Sequence, residues 1–297
     1  MKYLLNCAHH YLEFRWPEVI SLLQLDNLDC HDFKVDFVDN TPFAVAEFEH
    51  ENVVRRLLQR SILIKNAFEL WASGDTYQDL YDNLRAVVPS KIDFDFIPFD
   101  GPVELTTPDQ TFYVLEFWGC DTDNIPSVPH KVYFGRLIGF GQTMLPDKFN
   151  LKKRRYIGNT TMDPLLSLVM ANIAQVKEND LVLDPFMGTG SLLVAAAKFG
   201  AYVLGMDIMY QTVHAIGKSS RSDVKYRQAD ESVRANFEQY DLEDRYLDAI
   251  IGDSSRIDIW HSKSVFDAII TDRKSVMLEA FFESQFDYLL TSIIVLN

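Results

Sequence analysis

The sequence predicts two fold types in succession: an α+β half, then an α/β half built on a parallel, doubly wound sheet. Three observations carry this expectation. Strand-like and helical runs follow one another irregularly over roughly the first 140 residues, whereas from residue 161 the pattern becomes a regular β-α-β-α alternation. Within that alternation a short apolar run, Val182-Leu183, closes with Asp184 ahead of a glycine-bearing turn. Regular alternation implies parallel strands joined by crossover helices. At 297 residues and 47% hydrophobic content the chain is long enough to bury more than one core.

In order along the chain, the first segments read as strand Lys2–Ala8, helix Pro17–Leu25, strands Phe33–Val38 and Phe43–Phe48, helix Asn52–Arg60 and strand Ile62–Phe68. Pro17 suits a first helical turn, where its missing amide costs nothing. The order is that of a split βαβ, ferredoxin-like unit over residues 1–70. A second α+β module follows over 71–140, with a helix from Thr76 to about Val87 and strands Lys91–Ile97, Thr111–Phe117 and Val132–Ile138. Its aromatics Phe112, Tyr113, Phe117 and Trp118 either stack on bases or, as strand aromatics more often do, fill a core.

Gly139–Tyr156 reads as a linker, which sets the inter-domain segment at 141–160. The α/β half, 161–297, opens with an apolar helix over Asp163–Ala174. Strand Leu181–Leu183, helix Leu192–Phe199, strand Tyr202–Met206, a helix from Thr212, and strands Leu247–Ile251 and Phe266–Thr271 follow. In the atypical tail, 273–297, one helix over Ser275–Phe286 and one apolar run over Leu289–Leu296 are expected, the latter covering the edge of the fourth strand.

Composition narrows the function classes. No run of eighteen apolar residues occurs and the N-terminal apolar stretch is short, so a soluble intracellular protein without membrane association is expected. Cys7, Cys30 and Cys120 lack the close pairing of zinc sites or disulfides and read as reduced thiols, with no metal bound. A net charge of -15 argues against an ordinary nucleic-acid binder. The deficit is uneven: residues 1–150 carry 12 basic and 23 acidic side chains, residues 151–297 carry 16 and 20. The run Lys152, Lys153, Arg154 and Arg155 is either a local RNA contact or a solvated linker.

The sharpest signal is Val182-Leu183-Asp184-Pro185-Phe186-Met187-Gly188-Thr189-Gly190-Ser191, a buried strand ending in an acid and a glycine loop feeding an Ala-rich helix. Gly188 and Gly190 leave room for a ligand against bare backbone, and the helix start favours a carboxylate. Asp184 suits a ligand ammonium. Asp207 closes the next strand, where a doubly wound fold places an acid on ribose hydroxyls, and Asp253 follows the third. Each acid alone reads equally as a cap or turn residue, but three strand ends closing with Asp form a pattern. The dinucleotide fingerprint G-x-G-x-x-G and the P-loop Gly-Lys-Ser/Thr are both absent, which favours S-adenosyl-L-methionine (AdoMet).

The segments Lys152–Asp163, Asp184–Ala197 and Phe199–Tyr202 resemble the catalytic subunits of the eukaryotic tRNA guanosine-10 N2-methyltransferases, and in weaker form the resemblance runs from Met1 to Asp272. It implies an N-terminal ferredoxin-like domain, a THUMP domain over 71–140 for tRNA, a Rossmann-like methyltransferase domain, a cytoplasmic location and a small zinc-binding activator as partner, paired to the strand Leu247–Ile251 by strand addition. Cofactor contacts are then expected at Asp184, Phe186, Gly188, Thr189, Gly190, Asp207 and Asp253, and RNA contacts at Lys152, Lys153, Arg154 and Arg155. The resemblance also implies in-line methyl transfer to the exocyclic N2 of an unstacked guanine.

Asp272 stands where the family's Asp-Pro-Pro-Tyr-like acceptor turn begins and is the catalytic candidate, but Arg273, Lys274, Ser275 and Val276 follow it. Only 25 residues, Arg273–Asn297, come after Asp272, too few for the strands that complete such a sheet. The expectation is a truncated or alternatively ended form with an incomplete sheet, one that binds tRNA or activator with little or no methyl transfer of its own.

Overall fold

Six strands of the N-terminal half pair into one antiparallel sheet: β1 (Lys2–Cys7), β2 (Lys34–Phe37), β3 (Phe43–Glu47), β4 (Ile64–Gly74), β5 (Phe112–Phe117) and β6 (Lys131–Phe140), in spatial order β2-β3-β1-β4-β6-β5. The structure, a computed structural model, describes residues 1–28, 33–38, 41–87, 106, 108–119, 121, 123–222, 224–254, 256, 265–272 and 293–295. The strand expected at Lys91–Ile97, the helix expected at Ser275–Phe286, Cys30 and Cys120 lie outside them. Two units are formed, Met1–Arg15 with Leu23–Thr143, and Trp16–Leu22 with Met144–Asn297.

In the first unit β4 is longer than its apolar run suggests. It continues through residue 70 and is flanked by β1 (Leu4↔Phe68) and β6 (Phe68↔Leu137), so strands from both N-terminal modules share one ladder. Leu4, Phe43, Phe68 and Tyr133 form a buried cluster on the sheet, with the Phe43 and Tyr133 rings 5.0 Å apart. Helix α1 spans Arg15–Leu25 and α2 spans Glu51–Arg60. In α2, Val53, Val54, Leu57 and Leu58 are buried while Glu51 and Arg55 pair one turn apart on the outside, the pattern of a helix laid on a sheet. Helix α3 (Tyr77–Val87) buries Leu80 against Ala72 and Val132.

The second unit holds a five-stranded sheet made of β7 (Leu181–Asp184), β8 (Tyr202–Asp207), β9 (Tyr246–Ile251), β10 (Ala268–Ile270) and β11 (Ile293–Val295), in order β11-β10-β7-β8-β9. β10, β7, β8 and β9 are mutually parallel, and β11 pairs antiparallel with the edge of β10. The α/β class expected from the alternation is thus the class observed. Helix α4 is Leu145–Lys148; α5 (Pro164–Ile173) starts at Asp163, whose carboxylate caps the Leu165 and Leu166 amides. Helix α6 (Ser191–Lys198) follows the glycine loop, and its Ala195, Ala196 and Ala197 are all buried, small side chains that allow close packing.

Two expectations change. The helix from Thr212 is only the four-residue α7 (Tyr210–Val213), because Ala215 and Gly217 take left-handed backbone angles that end it; the next helix, α8 (Val233–Gln239), starts afresh at Ser232, whose hydroxyl accepts from the Ala235 amide. The segment read as a linker is packed structure from Met144 onward, with Leu145, Phe149, Arg154 and Tyr156 buried. None of the helices among the described residues is long and apolar enough to cross a membrane.

Candidate functional site

The chain runs β7, β8, β9 outward in one direction and then returns to place β10 on the other side of β7. In a doubly wound sheet such a reversal opens a crevice at the carboxyl ends of the strands, and ligands bind there. The four acids singled out in the sequence fall at this end: Asp184 closes β7, Asp207 closes β8, and Asp253 and Asp272 each lie two residues past β9 and β10.

Between Asp184 and α6 the loop is held by its neighbours. The Met187 amide donates to Met206 O of β8 (2.9 Å), and the Gly188 amide donates to Asp207 Oδ2 (2.9 Å). Gly188 has φ +51° and a side chain there would meet nothing within 4 Å, so it borders open space at the strand ends. Gly190 serves differently: φ is +82°, and a Cβ would sit 3.2 Å from Val233 of α8. Conformation and packing, rather than ligand approach, require glycine at 190. Phe186 is exposed beside the loop, and Thr189 is buried.

Asp184 is 2% exposed, and burial pushes its carboxyl up to about 7. The Phe186 amide, donating to Oδ1 at 3.0 Å, opposes that rise, while the anionic Asp207 and Asp272 add to it. The buried Thr271 hydroxyl also opposes it, although it stands outside hydrogen-bond geometry, with no partner among the described residues. An acid so placed is suited to a cationic partner, which would restore its charge.

One wall of the site comes from the segment before α5. The buried Asn236 of α8 clasps Tyr156, accepting from its amide (2.8 Å) and donating to its carbonyl (2.9 Å). The Tyr156 hydroxyl donates to Thr212 O (2.6 Å), and Arg227 stacks on the Tyr156 ring while donating to Ile157 O (2.9 Å). Further on, the Gly158 amide donates to Thr161 Oγ1 (2.6 Å), and that hydroxyl meets Thr189 Oγ1 at 2.9 Å. The Tyr156–Thr161 stretch is therefore fastened onto the glycine loop. Sequence reasoning did not identify Tyr156, Thr161, Asn236 or Thr271 as site residues. Tyr156 and Thr161 fall within the family-like segment Lys152–Asp163, but Asn236, the partner of Tyr156, lies 80 residues away and carries no local signal.

The basic run divides. Lys152, Lys153 and Arg155 are exposed. Arg154 is 1% exposed: its guanidinium donates to Ser191 Oγ at the start of α6 (2.6 Å) and to Phe149 O (3.3 Å), near the Tyr240 ring. It is corrected from an RNA contact to an interior residue, since a side chain so enclosed cannot reach a phosphate. Arg221 donates to the carbonyls of Lys152, Arg154 and Arg155, fixing the run in place.

A parallel sheet with a switch point, a glycine loop and acids closing adjacent strands defines an α/β cofactor-binding domain of methyltransferase type. Residues 152–273 match the family described as RMKL-like, methyltransferase domain, and residues 1–93 and 91–143 match the Tmrp11 THUMP N-terminal domain. The tRNA (guanine(10)-N(2))-methyltransferase TRMT11 of Homo sapiens is 42% identical over 302 residues, which cover 91% of this chain and 65% of that one. The tRNA (guanine(10)-N(2))-methyltransferase of Saccharomyces cerevisiae is 31% identical over 303 residues, 91% of this chain and 67% of that one. The chain belongs to this family of tRNA (guanine(10)-N(2))-methyltransferases, and it spans about two thirds of the length of the curated relatives it matches. Among solved structures, TrmN from Thermus thermophilus aligns over 91% of this chain and 78% of that one at 13% identity, with a TM-score of 0.43, too loose a match to bear on function.

Proposed function

We propose that this chain binds AdoMet at the carboxyl ends of β7 and β8 and acts in methylation of the exocyclic N2 of guanosine 10 in tRNA. The observation that carries the reading is the buried Asp184 beside open space at Gly188, a subsite for a cationic group next to bare backbone. Asp184 would take the cofactor's ammonium, Phe186 and Thr189 would flank it, and Asp207 and Asp253 would take ribose and adenine. The bound cofactor supplies an electrophilic methyl. Asp272 would accept hydrogen bonds from the guanine amino group and orient its lone pair, so the protein's work is positioning.

The exposed cations Lys152, Lys153 and Arg155 would neutralise tRNA phosphates beside the site. Among the described residues β9 is an edge strand, with Leu247, Ile250 and Ile251 exposed, which supports docking of a small zinc-binding activator by strand addition. The buried Cys7, a thiol in no disulfide, agrees with a cytoplasmic location.

A second reading rests on the sequence Asp272-Arg273-Lys274-Ser275-Val276, which lacks the prolines and aromatic of the acceptor turn. On that reading the chain binds tRNA or activator without methyl transfer. Transfer of labelled methyl from AdoMet to unmodified tRNA, with the chain purified together with the activator, tests both. Guanine-N2 methylation above that of Asp272→Ala supports the enzyme; none from a folded, AdoMet-binding complex establishes the binding-only form.

A further inference from the structure

Thr271 is 8% exposed, yet its hydroxyl has no hydrogen-bond partner among the described residues. A buried hydroxyl without a partner destabilises a fold, and its retention calls for a reason. Its position supplies one. β10 pairs with β7 in parallel register, Ile269 against Leu183, so Asp184, which ends β7, and Thr271, the first residue past β10, lie at neighbouring strand ends at the switch point. The charged groups facing Asp184 are Asp207 at the end of β8 and Asp272 past β10, both anionic, and neither stabilises its charged form.

We propose that Thr271 is a positioning residue for the cofactor subsite: its hydroxyl turns to donate to the Asp184 carboxylate, holds it ionised among the neighbouring acids, and so readies it for the ligand ammonium. The proposal rests on the AdoMet reading for the identity of the ligand, but its effect on Asp184 exists without any ligand. The hydroxyl's opposition to the rise of the Asp184 carboxyl agrees in sign with such a contact.

The test uses the full chain and the variants Thr271→Val, which keeps the shape and loses the donor, and Thr271→Ser, which keeps the donor. Carbon-13 titration of the Asp184 carboxyl in the ligand-free protein should show a higher midpoint in Thr271→Val and a midpoint near wild type in Thr271→Ser. AdoMet affinity at pH 7, followed by calorimetry, should fall at least roughly tenfold in Thr271→Val. A wild-type chain that fails to bind AdoMet sinks the cofactor reading, while the carboxyl titration still decides the assignment. If wild type binds and Thr271→Val titrates and binds like it, the role of Thr271 is overturned and the cofactor reading stands.

Discussion

Asp207 holds Gly188 by a 2.9 Å hydrogen bond from the glycine amide to Oδ2, while its Oδ1 accepts from the Met209 amide at 2.8 Å. The acid at the end of β8 thereby fixes the height of the glycine loop after β7. Asp207→Ala leaves both amides without their acceptor and should cost about 1–3 kcal/mol in denaturant unfolding. It should also weaken AdoMet binding by more than roughly tenfold, beyond the affinity lost by an equally destabilising change in the first unit. Equal losses in the two would mean that Asp207 acts only through stability.

The two loop glycines should respond differently to alanine. At Gly188 a methyl meets no protein atom, so Gly188→Ala should pay only the left-handed backbone cost of about 1–2 kcal/mol and lose cofactor binding almost entirely. Gly190→Ala adds a Cβ 3.2 Å from Val233 and should be the less stable of the pair. Thermal unfolding and calorimetric titration of both variants check the ordering.

Stability should depend on the charge of Asp184. Its folded carboxyl titrates near 7 against an ordinary value of 3.8, so between those values the folded state binds the proton that the unfolded state has released. Stability from this group is therefore largest at low pH and falls as pH rises toward 7, with a penalty of at most ~4 kcal/mol above it. Asp184→Asn should be more stable than wild type at pH 7.5, show a flatter pH dependence between pH 4 and 7, and bind AdoMet poorly. Urea unfolding as a function of pH would show parallel curves for the two proteins if the carboxyl is not raised.

The cations of the 152–155 run should separate into two groups. Arg154→Ala removes an interior side chain and its bonds to Ser191 and Phe149, and should cost about 2–5 kcal/mol. Replacing Lys152, Lys153 and Arg155 together should change stability by no more than about 0.5 kcal/mol per site while lowering tRNA affinity and the slope of its salt dependence by about 2. An unchanged slope would place the RNA contact elsewhere.

The order of the second sheet could be read from the chain because parallel strands are buried on both faces and leave short apolar runs, here Leu181–Leu183 and Tyr202–Met206, separated by helical spacing. The same logic failed after Thr212, where left-handed Ala215 and Gly217 stop a helix that composition alone allows to continue. The glycine loop and the acids at the strand ends were visible as local motifs. What composition concealed was the direction of side chains: four consecutive cations read as solvated, yet Arg154 turns inward because Ser191 and Phe149 offer it acceptors. Thr161, Asn236 and Thr271 become site residues only through contacts across the fold, with Thr189, Tyr156 and the end of β7, and no spacing along the chain announces them.

Amide chemical shifts followed during titration with S-adenosyl-L-homocysteine test most directly whether the carboxyl ends of β7 and β8 form the cofactor site. Saturable one-to-one binding is expected, with the largest shifts at Phe186, Gly188, Thr189, Gly190 and the residues after Asp207. No saturable change, or changes centred among residues 1–143, would contradict it.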